Sequence, residues 1–170
     1  MNIISPDRLH VFYGFSKDFA AAGLRLGCLI TQNTLLWKSV KSNTRFHGGS
    51  GLSIAVAVAI LEDEEFVASF LALSRQKIGD AYRYATSFLQ KNGNEYWRGS
   101  TAGFFIYLNL SPWLLPKLED PEYVSEYDFA QELLDAGVEM HPREEHWEEP
   151  GHFRLVFGHE RERLGEGVRR

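Results

Sequence analysis

Residues 62–90 carry the most regular pattern in the chain, and that pattern limits how the rest can be arranged. Phe66, Phe70, Leu73, Ala81, Ala85, Phe88 and Leu89 recur at helical spacing, acidic residues lead the first turn, and Asn92-Gly93 supplies a stop. At 1.5 Å per residue such a helix is about 40 Å long, enough to bridge two lobes. The composition changes after it, so the domain boundary is placed inside the helix near Gly79, giving residues 1–79 and 80–170.

Before the long helix, His10 to Phe15 reads as a buried strand stopped by Ser16-Lys17-Asp18. Gly23 to Thr31 is a second strand candidate with Arg25 set in an apolar segment. Thr34 to Lys41 suits a short helix, His47 to Gly51 a flexible joint, and the Ala-rich Leu52 to Leu61 run a buried helix. Beyond the long helix, Gly103 to Leu110 reads as a strand and Ser111 to Pro121 as a Pro-bounded loop. Tyr123 to Ala136 follows as an amphipathic helix ending at Gly137. Val138 to Met140 and Phe153 to Phe157 read as short strands around an acidic loop with Glu144, Glu145, Glu148 and Glu149. The order is α/β first, then a small α+β unit.

With 170 residues, 44% hydrophobic and 24% charged, the chain has the composition of a globular protein. A net charge of −5 with mixed signs disfavours binding to nucleic-acid phosphates. The single cysteine, Cys28, allows no intrachain disulfide and is expected to be a small core residue in a reducing compartment. The longest apolar run, Ile54 to Leu61, falls far short of the roughly 20 residues that span a bilayer. Met1 to Leu9 lacks the features of a signal peptide, so the expected location is cytoplasmic. His141, His146 and His152 show no metal-ligand spacing, and no metal is expected.

Three residues are chemical candidates. Lys17 follows a strand in a loop, where it is either solvated or a reactive amine held against a ligand. Arg25 and Arg154 each interrupt an apolar segment, and each needs an internal carboxylate or a bound anion as partner.

The residues FYGFSKDFAAAGLRLG (12–27) resemble the cofactor-lysine signature of the class I/II aminotransferases, the fold-type I pyridoxal-phosphate enzymes. The 1-aminocyclopropane-1-carboxylate synthase-like branch is nearest in character. In this pattern a strand delivers Ser16-Lys17, followed by the small-residue turn Ala20 to Gly23 and by Gly23-Leu24-Arg25-Leu26-Gly27. TAGFFIYLNLS (101–111) resembles the strand that opens the family's small domain, and residues 137–160 resemble its closing segment.

The resemblance implies a partial fold-type I large domain over residues 1–79 and a small C-terminal domain over residues 80–170. It implies pyridoxal 5'-phosphate as cofactor, with Lys17 as the catalytic lysine that carries it and Ser16 and Arg25 as further cofactor-binding residues. Arg154 would hold the substrate α-carboxylate in a planar two-point contact. The implied reaction is amino-group transfer between an amino acid and a 2-oxo acid, in (secondary) metabolite biosynthesis. The alternatives are a synthase-type lyase, or a non-catalytic remnant or interaction subunit. Two departures stand out. Gly14 occupies the place where the family pattern commonly has a serine, and family members usually exceed twice this length. The segments that pair with the pyridine ring would lie upstream, so a homodimer or a chain supplying the N-terminal half is the implied partner.

Overall fold

The computed structural model describes residues 4–118, 125–143 and 150–167. They form two compact units that divide between Arg75 and Gln76. The chain is of the α/β class.

In the first unit a 3-10 turn at Pro6–Arg8 leads into strand β1 (His10–Gly14) and the single-turn helix α1 (Phe15–Asp18). A second 3-10 turn at Ala22–Leu24 precedes strand β2 (Gly27–Thr31). The two strands are antiparallel, with Val11 opposite Ile30 and Tyr13 opposite Cys28. Helix α2 (Thr34–His47) starts at Asn33, whose Oδ1 accepts from the N–H groups of Leu35 and Leu36. It runs beyond the short helix expected to end at Lys41. Helix α3 (Gly51–Glu62) is capped by Ser50, whose hydroxyl accepts from Ser53 N–H at 3.1 Å.

The long helical pattern begins two residues later than expected. Asp63 interrupts it: its backbone leaves the helical region, and its Oδ1 accepts from Phe66 N–H at 2.8 Å. Asp63 thus ends α3 and caps helix α4 (Glu64–Lys91). The far end closes with Gly93 at φ +73°, Asn94 N–H bonding Leu89 C=O and Gly93 N–H bonding Gln90 C=O. That pair of bonds is the glycine-terminated motif expected of Asn92-Gly93.

The second unit holds the last part of α4, strand β3 (Phe105–Asn109), helix α5 (Ser111–Leu118), helix α6 (Glu126–Asp135), strand β4 (His141–Pro142), strand β5 (His152–Val156) and helix α7 (Arg161–Gly167). Residues 111–118 were expected as loop and are helical. Pro112 falls in the first turn, where its missing N–H costs nothing, and Asn109 Oδ1 accepts from Ser111 N–H. The sheet is antiparallel in the order β3-β5-β4, with β5 in the centre. The acidic loop, residues 144–149, lies outside the described residues.

Two clusters make the core of the second unit. Ala85 and Leu89 of α4 pack with Ile106, Leu108, Leu155, Phe157 and Leu164. Leu114, Phe129 and Phe153 form the other, with the Phe129 ring edge-on to Phe153 at 5.5 Å. The first unit buries far less. Its cluster is Phe15, Phe19 and Ala57, with Val67 and Phe70 alongside.

Three expectations about burial are corrected in the first unit. Strand β1 is not buried within the chain: Val11, Phe12 and Tyr13 are exposed, Phe12 by 80%. Helix α3 forms as expected, yet of its residues only Ala57 is buried. Its sequence is apolar all round, a pattern that belongs to a helix covered on several sides. Cys28 is likewise exposed on β2 rather than in a core.

Candidate functional site

The segment from Phe15 to Leu26 is a closed loop built around two phenylalanines. Phe15 and Phe19 are four residues apart, so they share one face, and both are buried. Their rings stack at 5.1 Å, and the stack continues to Phe70 of α4 at 5.8 Å and on to Phe66 at 5.5 Å. Lys17 stands midway between the two anchors, and a helical turn therefore presents it on the opposite, exposed side. Ser16 is half-buried beside it. The sequence thus fixes the lysine by burying what flanks it.

Backbone bonds shut the loop. Phe15 N–H donates to Leu26 C=O at 3.3 Å, and Ala21 N–H to Phe15 C=O at 3.2 Å. Two non-glycine residues, Ala20 at φ 51° and Arg25 at φ 53°, take the left-handed conformation. Each costs energy for an L residue, and their closeness in sequence marks the loop as strained. Arg25 is exposed, and its Nη1 donates to Ala22 C=O at 3.3 Å. The expectation of a guanidinium lodged among apolar neighbours is corrected: the 3-10 turn at Ala22–Leu24 and the left-handed kink turn Arg25 outward ahead of β2. An amine, a hydroxyl and a guanidinium therefore share one loop, a donor set suited to an aldehyde that carries a phosphate.

Gly14 precedes this loop. A Cβ placed there would meet only Leu26 O at 3.5 Å, ordinary van der Waals contact. Its backbone lies at φ −149°, a region open to any residue. Nothing in the backbone prevents a serine at that position.

Tyr13, which sequence reasoning passed over, closes one side of the loop. Its phenol hydrogen-bonds the Asp18 side chain, next to Lys17. Although Tyr13 is exposed overall, partial desolvation first, then this bond and the Asp18 charge, push its pKa above the ordinary phenol value, while Arg75 opposes them. Only the cross-loop pairing of residue 13 with residue 18 could have signalled it, and that needs the three-dimensional turn.

In the second unit Arg154 lies on the central strand. Phe153 and Leu155 point into the core, so Arg154 takes the other face and is half-buried. Tyr107 on β3 and His141 on β4 are its direct register partners. The guanidinium rests over the Phe105 ring at 4.6 Å, a cation–π contact that orients it. This polar face was legible only in its arginine. Tyr107 and His141 join it through pairings separated by many residues. Among the described residues no group of acidic, histidine or cysteine side chains is arranged to hold a metal ion. No described helix is long and apolar enough to cross a membrane.

Residues 2–170 match the family model described as aminotransferase class I and II, and the chain belongs to that family. A mouse protein named probable inactive 1-aminocyclopropane-1-carboxylate synthase-like protein 2 is 31% identical over 155 residues. That match takes in 89% of this chain and 26% of the mouse protein, so the chain spans about a quarter of that relative's length. A mutant aspartate aminotransferase of Thermus thermophilus superposes with a TM-score of 0.81 at 20% identity, over 97% of this chain and 43% of that one. A pyridoxal-phosphate-bound C-S lyase from Staphylococcus hominis superposes with a TM-score of 0.73 at 26% identity, over 96% of this chain and 40% of the lyase. The relationship covers nearly all of this chain and less than half of each structure.

Proposed function

We propose that the chain carries the lysine-bearing half of a pyridoxal-phosphate site that transfers an amino group between an amino acid and a 2-oxo acid. The observation that carries this reading is the closed loop that turns Lys17 outward between two buried phenylalanines, with Ser16 and Arg25 on the same loop. In this reading residues 1–79 are the C-terminal part of the cofactor-binding large domain and residues 80–170 the small domain. When bound, the cofactor supplies the electron sink that makes the bonds at an amino acid's Cα labile.

The chain's own residues do the rest. Lys17 Nζ would hold the cofactor, and its amine would hold and move the proton at the substrate Cα. Arg25 would hold the cofactor's phosphate through charge-assisted hydrogen bonds, with the Ser16 hydroxyl beside it. Arg154 binds the substrate α-carboxylate, and the Phe105 ring under its guanidinium orients the planar fork. The partner that this reading implies is a second copy in a homodimer or a chain supplying the N-terminal half. The exposed apolar residues of β1, β2 and α3 support such a partner. The exposed Cys28 thiol suits a reducing, cytoplasmic setting.

Within the family, a synthase-type lyase is the enzymatic alternative. A second reading is a non-catalytic remnant or interaction subunit, favoured by Gly14 in place of a phosphate-binding serine and by the relative named as probably inactive. Borohydride trapping separates these readings. The chain is incubated with pyridoxal phosphate, reduced and mapped by mass spectrometry. Label concentrated on Lys17 and lost in Lys17→Ala supports the site. Label spread over surface lysines, or unchanged in the variant, overturns it.

A further inference from the structure

Glu126 is 3% exposed, one of two buried polar side chains among the described residues. It opens α6 just after the N-cap Ser125, whose hydroxyl accepts from Tyr127 N–H while Ser125 N–H donates to Asp128. The carboxylate turns away from its helix. Its Oε1 accepts the Gly151 N–H at 2.8 Å in a buried setting and meets Arg143 Nε at 3.5 Å. One oxygen therefore ties the start of α6 to the segment after β4 and to the residue immediately before β5.

Gly151 is fixed from its other side too. Its carbonyl accepts Leu110 N–H at 2.7 Å. At φ +84° it holds a conformation glycine favours, and a Cβ there would lie 2.5 to 2.9 Å from the backbone and Cβ of Ser111. The residue can neither slide nor carry a side chain. Three positions on stands Arg154. Between them Phe153 packs edge-on against Phe129 of the same α6.

We infer that Glu126 is a positioning residue for Arg154: its carboxylate clamps the start of β5 and so sets where that guanidinium is presented. The value of this clamp to substrate binding rests on the carboxylate role proposed for Arg154. The clamp itself does not.

The full chain, labelled with 15N, tests both. In Glu126→Ala the Arg154 Nε–H resonance should move, and amide exchange at Gly151 should rise about tenfold, as for loss of a buried charge-assisted hydrogen bond. Exchange at Ile106 and Leu155 should stay as it was. Glu126→Gln keeps an acceptor for Gly151 and should restore both signals. Succinate serves as carboxylate probe: it should shift the Arg154 Nε–H signal, bind about fivefold more weakly to Glu126→Ala, and bind normally to Glu126→Gln. If Glu126→Ala fails to fold, Glu126→Asp, which withdraws the carboxylate by one methylene, should displace the same resonance. An unmoved Arg154 resonance in the variant that folds, or an equal rise in exchange throughout the second unit, overturns the clamp. If succinate never perturbs Arg154 in the wild type while Glu126→Ala still displaces its resonance, the carboxylate role of Arg154 fails and the clamp stands.

Discussion

The two units spend their apolar residues in opposite ways. In the second, Leu89, Ile106, Leu114 and Phe153 are fully buried, and the strands alternate core-facing and half-open residues. In the first, Phe12 is 80% exposed, Leu35 77% and Leu52 78%, while the buried apolar residues are Phe15, Phe19 and Ala57. Backbone pairing repeats the contrast: a three-stranded sheet on one side, a two-stranded ribbon on the other. A two-stranded ribbon is marginal in water without further strands or a packed face. The proposed cofactor lysine therefore sits in the unit that needs outside cover, and the proposed carboxylate arginine in the unit that does not. The small buried cluster of the first unit is spent on the Lys17 loop itself.

Substitutions can break this comparison. The largest expected effect is Phe153→Ala, which should destabilise the second unit by about 3–5 kcal/mol, the usual cost of emptying an aromatic core site. Phe12→Ser should leave the unfolding free energy of the isolated chain within about 0.5 kcal/mol and raise its solubility. Denaturant titration checks both. A comparable loss for Phe12→Ser would mean that β1 is buried in solution and the contrast is false.

Arg154→Ala comes next. It should weaken binding of an amino-acid carboxylate about tenfold or more while changing cofactor affinity little, because a two-point charge-assisted contact is lost. Parallel titrations with amino acid and cofactor decide it. Equal losses in both would make Arg154 a structural arginine. Gly14→Ser should tighten pyridoxal phosphate about tenfold by adding one hydrogen bond to a charged group. The open backbone space at Gly14 allows it without strain. Fluorescence titration reads the change, and weaker binding in the serine variant would place the phosphate elsewhere.

The smallest effect concerns pH. Tyr13 has a raised pKa, so the folded chain keeps the phenol neutral at pH values where the unfolded chain ionises it. The stability this gives is whole below the ordinary phenol range and is lost as pH rises through the folded value. In Asp18→Asn the midpoint should fall yet remain above the ordinary value, since burial is the largest cause. Ultraviolet titration of the phenolate shows it. No fall in the variant would separate Tyr13 from Asp18 and from the Lys17 loop.

Much of this was legible in the sequence because the governing signals are local. Helical spacing marked α4, Asn92-Gly93 marked its end, and FYGFSKDFAAAGLRLG marked the family. The misreadings have different physical causes. Asp63 breaks the helical pattern through a side-chain bond to Phe66 N–H that outweighs periodicity. Apolar β1 and α3 read as buried because composition states what a segment needs, and among the described residues most of their side chains stay exposed. Tyr13, Tyr107, His141 and Glu126 escaped because each acquires its role from a partner distant in sequence or across a turn.

Hydrogen exchange of the full chain, followed peptide by peptide, tests the contrast most directly, since local opening tracks uncovered backbone. Amides of β3, β5 and the second half of α4 should exchange only through global unfolding, while those of β1, β2 and α3 exchange much sooner. Equal protection across both units would contradict the claim that the lysine-bearing unit is completed from outside.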